Sequence, residues 1–125
     1  MNVVISNRSD QPIYEQIKEQ IRSAIILDEI AEGEMLPSIR SLASDLKISV
    51  ITTKRAYDEL EIEGFIATVQ GKGCFVLPKN KEQIKEQKLK EIEEHFVKAI
   101  ACGKLIDLRS DELKEILDIL LMEEK

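Results

Sequence analysis

Residues 49–64 read "SVITTKRAYDELEIEG", and the reading of this stretch decides the fold. Ser49 is a residue type that caps a helix N-terminus, and Gly64 one that closes a helix. Between them Thr53, Ala56, Tyr57 and Leu60 fall at i, i+3, i+4 and i+7, a single buried stripe. Val50 and Ile51 stand at the front, off that stripe, beside Thr52, Lys54 and Arg55. Apolar β-branched residues and cations on the outer face of one helix ask for a partner surface that is both apolar and charged.

The flanks give this helix its context. Upstream, Pro37 ends an extended link, Ser38 can cap a helix, and Ile39, Leu42, Ala43 and Leu46 set that helix's buried face up to about Lys47. Two helices joined by about three residues form a helix-turn-helix. Further upstream, Ile13, Tyr14, Ile17, Ile21, Ala24 and Ile25 predict a helix over about 12–27, with Pro12 in its first turn and Asp10 as a candidate cap. Downstream, "FIATVQGKGCFVLP" (65–78) changes period and predicts two strands joined by a tight loop at Gly71 and Gly73, a wing. Residues 1–78 therefore read as a winged helix-turn-helix.

Composition shifts at Pro78. Residues 79–125 are charged and helix-prone, with an apolar stripe of Ile84, Leu89, Ile92, Phe96, Val97 and Ile100 and a stop at Gly103. A last helix, with Ser110 as candidate cap, carries Leu113, Ile116, Leu117, Ile119, Leu120 and Leu121. The fold class expected is mainly α with a small β-hairpin: a winged helix-turn-helix followed by a short α-helical hairpin. Two such helices need a partner surface, and a second copy of the chain fits best, making a four-helix arrangement. Leu89, Ile92, Phe96, Ile100, Leu113, Ile116, Leu117 and Leu120 are the candidate dimerisation residues.

The chain has 125 residues, the length of one domain or of a small domain with an appendage, and its 43% hydrophobic and 34% charged residues predict a soluble globular protein. Its net charge of −6 argues, on average, against a nucleic-acid partner. Locally the sign reverses: from Ser38 to Ala56 the cations are Arg40, Lys47, Lys54 and Arg55, and the acid is Asp45. A basic patch on an acidic body still binds phosphate, with steeper salt sensitivity. The opening "MNVVISNRSDQP" lacks a basic leader and a long apolar run, and no segment is apolar enough to span a membrane, so a cytoplasmic protein is expected. Cys74 and Cys102 read as ordinary small apolar residues, a redox switch requiring an exposed thiolate of low pKa. His95 reads as a surface residue, and no metal or cofactor is implied. No catalytic motif appears, so an enzyme is not expected.

In a helix-turn-helix the N-terminal residues of the second helix meet base edges in the major groove. Val50 and Ile51 can then touch thymine methyl groups, Thr52 can hydrogen-bond a base or phosphate, and Lys54 and Arg55 can reach phosphate or guanine. Ser38 and Arg40 open the preceding helix, whose free backbone N–H groups attract phosphate. Lys72, with Gly71 and Gly73, can approach the adjacent groove. Plainer readings stand beside these: Ile51 packed into the turn, Arg55 paired with Glu59, Lys72 a solubilising loop residue, and the whole winged domain a scaffold for protein contact.

The segment "LPSIRSLASDLKISVITTKRAYDELEIEGFIATVQGKGCFV" (36–76), with "QPIYEQIKEQIRSAI" (11–25), resembles the DNA-binding domain of the GntR family of bacterial transcription regulators. The LPS-x-R opening, the TT-[KR]-[RA] run, the L-x-x-EG stop and the GKG-x-FV wing occur in order over about residues 10–78. The short tail resembles the YtrA-type branch, which lacks a large effector domain and uses the tail for dimerisation. The resemblance implies a sequence-specific DNA-binding regulator, a homodimeric repressor on a palindromic operator in double-stranded DNA, acting on its own operon or an ABC transporter operon. It implies that Arg40 meets DNA phosphate or base, that Ser49, Thr52 and Lys54 occupy recognition-helix contact positions, and that Gln70 and Gly71 serve the wing. The chain departs from the pattern at Val50 and Ile51, where many members place Arg and Thr, and at Asp28, where many have Gly. No effector ligand, operator or regulated gene is legible.

Overall fold

The computed structural model describes residues 1–124, which form two compact units, Met1–Lys79 and the residues from Asn80 onward. The first unit contains α1 (Ile13–Ile26), α2 (Ile39–Leu46), α3 (Val50–Ile62), β1 (Ile66–Val69) and β2 (Gly73–Val76); the second contains α4 (Lys81–Lys104) and α5 (Ser110–Glu123).

The predicted stripe of α3 is its buried face: Thr53, Ala56, Tyr57 and Leu60 are all buried. They pack with Ile17, Ile21 and Ile25 of α1, Leu42 of α2, Ile66 of β1 and Cys74 and Val76 of β2. The Thr53 hydroxyl, taken into this core, donates to the Ser49 carbonyl at 3.1 Å, so no buried polar group is stranded there. The αL residue Lys47 (φ 57°) closes α2 and starts the turn into α3. Asp28 (φ 60°) has the left-handed backbone that Gly would take more easily.

The wing is a two-stranded antiparallel hairpin in which Ile66 faces Val76 and Val69 faces Gly73. The link before α2 adds a rung on the other edge of β2. Met35 bridges Phe75, the Gly33 N–H donates to the Val76 carbonyl at 2.8 Å, and the Leu36 N–H to the Cys74 carbonyl at 2.8 Å. Its Gly and Pro mark the link as a break in sequence, yet its backbone hydrogen bonds are spent on β2.

The N-terminal segment is also engaged. Gln20 makes paired hydrogen bonds to the Val4 backbone, and Gln16 exchanges hydrogen bonds with the Ser6 backbone, while Val3 and Ile5 lie against the core. Asp10 does not cap α1. Pro12 holds the cap position, and the Gln16 amide donates to the Gln11 carbonyl instead.

In the second unit Asn80 caps α4, its side chain accepting from the Gln83 N–H at 3.1 Å. Gly103 does not end α4, which runs one residue further. Gly103 is buried where Leu108 folds back, close enough that a Cβ there would lie 3.4 Å from the Leu108 Cβ. Ser110 is the first residue of α5 rather than its cap. The Glu112 carboxylate accepts from the Arg109 backbone N–H at 3.1 Å and takes over one unsatisfied helix donor. The expected pair of consecutive helices is present, but their apolar faces are not spent on each other: Leu89, Ile92, Phe96, Ile100, Ile116, Leu117 and Leu120 are exposed and Leu113 is half-buried.

Candidate nucleic-acid interface

Two serine caps set out the candidate surface. The Ser38 hydroxyl accepts from the Ser41 N–H at 3.0 Å and opens α2; the Ser49 hydroxyl accepts from the Thr52 N–H at 3.0 Å and opens α3. The middle of α3 is tied to the entrance of α2 by Tyr57, whose phenol donates to the Pro37 carbonyl at 2.7 Å from inside the core. Burial pushes the Tyr57 pKa far up, so the phenol stays a neutral donor. Arg40, two residues beyond Ser38, is exposed, and among the described residues it has no ion-pair partner.

On α3 the outward residues divide. Val50 is 48% exposed and Ile51 81% exposed, so Ile51 does not pack into the turn. Thr52 is half-buried, its hydroxyl accepting from the Ser49 hydroxyl at 2.7 Å. Lys54 pairs with Asp58 at 2.7 Å. Arg55 lies over the Tyr14 ring, 3.7 Å from its centroid, with its Nε on Glu59 at 3.3 Å. The Glu59 pair is the plainer reading of Arg55; the contact with Tyr14 of α1 comes in addition, and Arg55 stays exposed.

The wing tip carries Gln70, Gly71, Lys72 and Gly73, all exposed. The Lys72 N–H donates to the Val69 carbonyl at 2.9 Å and closes the turn. Gly73 (φ 126°) passes so close to Met35 that a Cβ there would meet the Met35 sulfur at 3.1 Å. Only a residue without a side chain fits both that backbone and that contact.

Part of the acidic charge is paired. Asp58 and Glu59 of α3, and Glu63 at its end, face cations. Lys18 lies 3.0 Å from Glu59 and 3.1 Å from Glu63, and Arg22 bonds Glu63 at 2.7 Å and also Glu19. Glu61 accepts from the Thr68 N–H at 2.7 Å. The hydrogen bond from Lys18 holds the Glu59 carboxyl below the usual range. Burial depresses the Lys18 pKa, but its hydrogen bonds to Glu59 and Glu63 outweigh that and raise it. Arg40, Lys47 and Lys72 have no acidic partner among the described residues, while Asp45, toward the other end of α2, has no cationic one.

This ladder escaped the sequence reading, although its signal was there: Lys18 and Arg22 are four apart on α1, and Glu59 and Glu63 four apart on α3. Tyr14, the support of Arg55, stands in the predicted spacing of the first helix and is partly buried against the core. Cys74 is buried, and that burial raises its thiol pKa, so it is no reactive thiolate; Cys102 is exposed. Among the described residues no cluster of metal-ligating side chains forms, and no helix is long and apolar enough to cross a membrane.

Comparison with known proteins fits this geometry. Residues 13–76 match the model of the bacterial regulatory proteins of the gntR family. The chain is similar to the HTH-type transcriptional repressor YtrA of Bacillus subtilis, 33% identical over 113 residues, covering 90% of this chain and 87% of that protein. The crystal structure of a transcriptional antiterminator from Listeria monocytogenes superimposes with a TM-score of 0.75 at 30% identity, over 96% of this chain and 90% of that one. The DNA-binding domain of AraR, solved in complex with its operator ORX1, superimposes with a TM-score of 0.54 at 29% identity, over 61% of this chain and 95% of that one. A two-helix start, a glycine wing, a surface of unpaired cations and these relatives lead to one conclusion: the chain belongs to the GntR family and is a DNA-binding transcriptional regulator, not an enzyme.

Proposed function

We propose that the chain is a homodimeric repressor that binds a palindromic operator. Its winged unit (1–78) reads DNA and its tail (79–125) dimerises. Ser38 and Arg40 hold phosphate at the start of α2. Ser49, Val50, Ile51, Thr52 and Lys54 meet the major groove, and Gln70, Gly71, Lys72 and Gly73 follow the adjacent backbone. Arg55 braces α3 against Tyr14 rather than reaching DNA.

The observation that carries this reading is the juxtaposition at the two capped helix starts: unpaired cations beside two exposed β-branched side chains. Helix N-termini offer phosphate their free N–H groups, and Arg40 adds a planar fork. For the tail, the support is its exposed stripes: Phe96 alone is 49% exposed, and a chain of this size gains much from covering such faces. Two copies then present two α3 helices to successive major grooves, about one helical turn apart. The family resemblance suggests its own operon or an ABC transporter operon as target, in the cytoplasm.

The test is Arg40→Ala in the full chain, with binding to a duplex site measured across a salt series. Affinity is expected to fall for all sequences, and the salt slope to shrink by about 1. An unchanged slope would remove Arg40 from the interface.

A further inference from the structure

At the front of α3 the polar groups are already spent on one another. The Ser49 hydroxyl donates to Thr52 Oγ1 at 2.7 Å and accepts from the Thr52 N–H at 3.0 Å. Both cations of the helix lean one turn toward its C-terminus, Lys54 to Asp58 and Arg55 to Glu59 and the Tyr14 ring. What projects freely from the first turn is apolar. Ile51 stands at the middle of the outward face, opposite the buried Thr53–Leu60 stripe, and Val50 flanks it. Both are β-branched and stiff, so little side-chain freedom is lost when they are covered.

A major groove offers such a pair one apolar feature, the C5-methyl group of thymine. Set against guanine or adenine, an isoleucine would strip water from base donors and acceptors and return no hydrogen bond. We infer that Ile51, with Val50 beside it, is the specificity-determining contact of this regulator and reads thymine through its 5-methyl group. This rests on the DNA-reading role proposed above for α3. Each half-site then carries a thymine facing Ile51, and uracil there is a poor substitute although its pairing is identical.

The test uses the full chain and the duplex recovered by selection from random DNA. Each thymine of the half-site is replaced singly by deoxyuridine, and affinities of the wild type and Ile51→Ala are compared at fixed salt. Loss of one buried methyl corresponds to about a fourfold loss of affinity. The wild type is expected to show that loss at one or two thymines per half-site. Ile51→Ala is expected to bind the thymine duplex more weakly, yet to lose its sensitivity to uridine at the same positions, within roughly twofold. Because the Ile51 side chain is exposed, the variant keeps the wild-type melting temperature, which serves as the folding control. Uridine without effect at every position would overturn the inference, as would equal effects in both proteins. Either result leaves the DNA-reading role standing. Failure to recover any sequence would defeat that role and this inference together.

Discussion

Removing the Tyr57 hydroxyl tests the joint between the middle of α3 and the entrance to α2. The phenol is in a side chain 4% exposed and donates 2.7 Å to the Pro37 carbonyl, directly before the Ser38 cap and Arg40. Tyr57→Phe keeps the ring and its packing, opens no cavity, and leaves one carbonyl without its donor. The expected cost is about 1 kcal/mol, the net worth of such a hydrogen bond. For a folding unit of this size that corresponds to a fall in melting temperature of roughly 4–8 °C. The turn that carries Ser38 and Arg40 becomes freer in the unbound protein, and re-fixing it on DNA costs no more than the bond was worth, so affinity falls by at most about fivefold. Thermal denaturation by circular dichroism and a binding isotherm measure both. Burial of the phenol gives an alkaline signature. The folded-state pKa of Tyr57 is raised by burial, so its contribution is fully present below the unfolded value of about 10 and is lost as pH rises above it. Tyr57→Phe loses that component of the alkaline decline. A melting temperature unchanged by the substitution would refute the assignment of Tyr57 as the tie between α3 and the α2 entrance.

The other perturbations act at separate points. Glu59 has a lowered folded-state pKa through its hydrogen bond to Lys18, so its contribution is present above the usual carboxylate range and is lost as pH falls through the folded value; Glu59→Gln should lower the urea midpoint at neutral pH and flatten its decline in acid. Gly73→Ala combines a φ of 126° with a 3.1 Å approach to Met35, whereas Gly71→Ala has φ 78° and open space, so in thermal melts Gly73→Ala should be the more destabilising, by at least about 1 kcal/mol. Leu117→Glu with Ile100→Glu places carboxylates on both exposed tail faces, and sedimentation should show a monomer that melts like the wild type in its winged unit but binds a palindrome more weakly.

The sequence was most informative where one local rule acts alone. The α3 stripe, the two serine caps and the glycine wing each follow from periodicity or from a backbone requirement, and each stands in the structure as read. It was least informative where residue type alone does not fix a position, and where distant segments meet. Ser110 has the right chemistry for a cap, but the cap position falls one residue earlier, at Arg109, whose N–H Glu112 holds. Asp10 lies two residues before the cap position of α1, which Pro12 holds. The rung that Met35 adds to β2, and the Lys18–Arg22 ladder on Glu59 and Glu63, join residues far apart in the chain, which periodicity cannot pair. At the candidate surface, helical spacing places Ile51 and Arg55 off the buried stripe, and both are exposed, but it cannot pair Arg55 with the Tyr14 ring of another helix.

On the proposed reading, two copies of this chain read DNA sequence through the front of α3. Selection of binding sites from random duplex DNA by the full chain at two salt concentrations tests this. The prediction is an inverted repeat whose half-sites lie roughly 10 base pairs apart, with a thymine at a fixed position in each and weaker recovery at higher salt. Recovery of no sequence at either salt, or of a single unrepeated half-site, would contradict it.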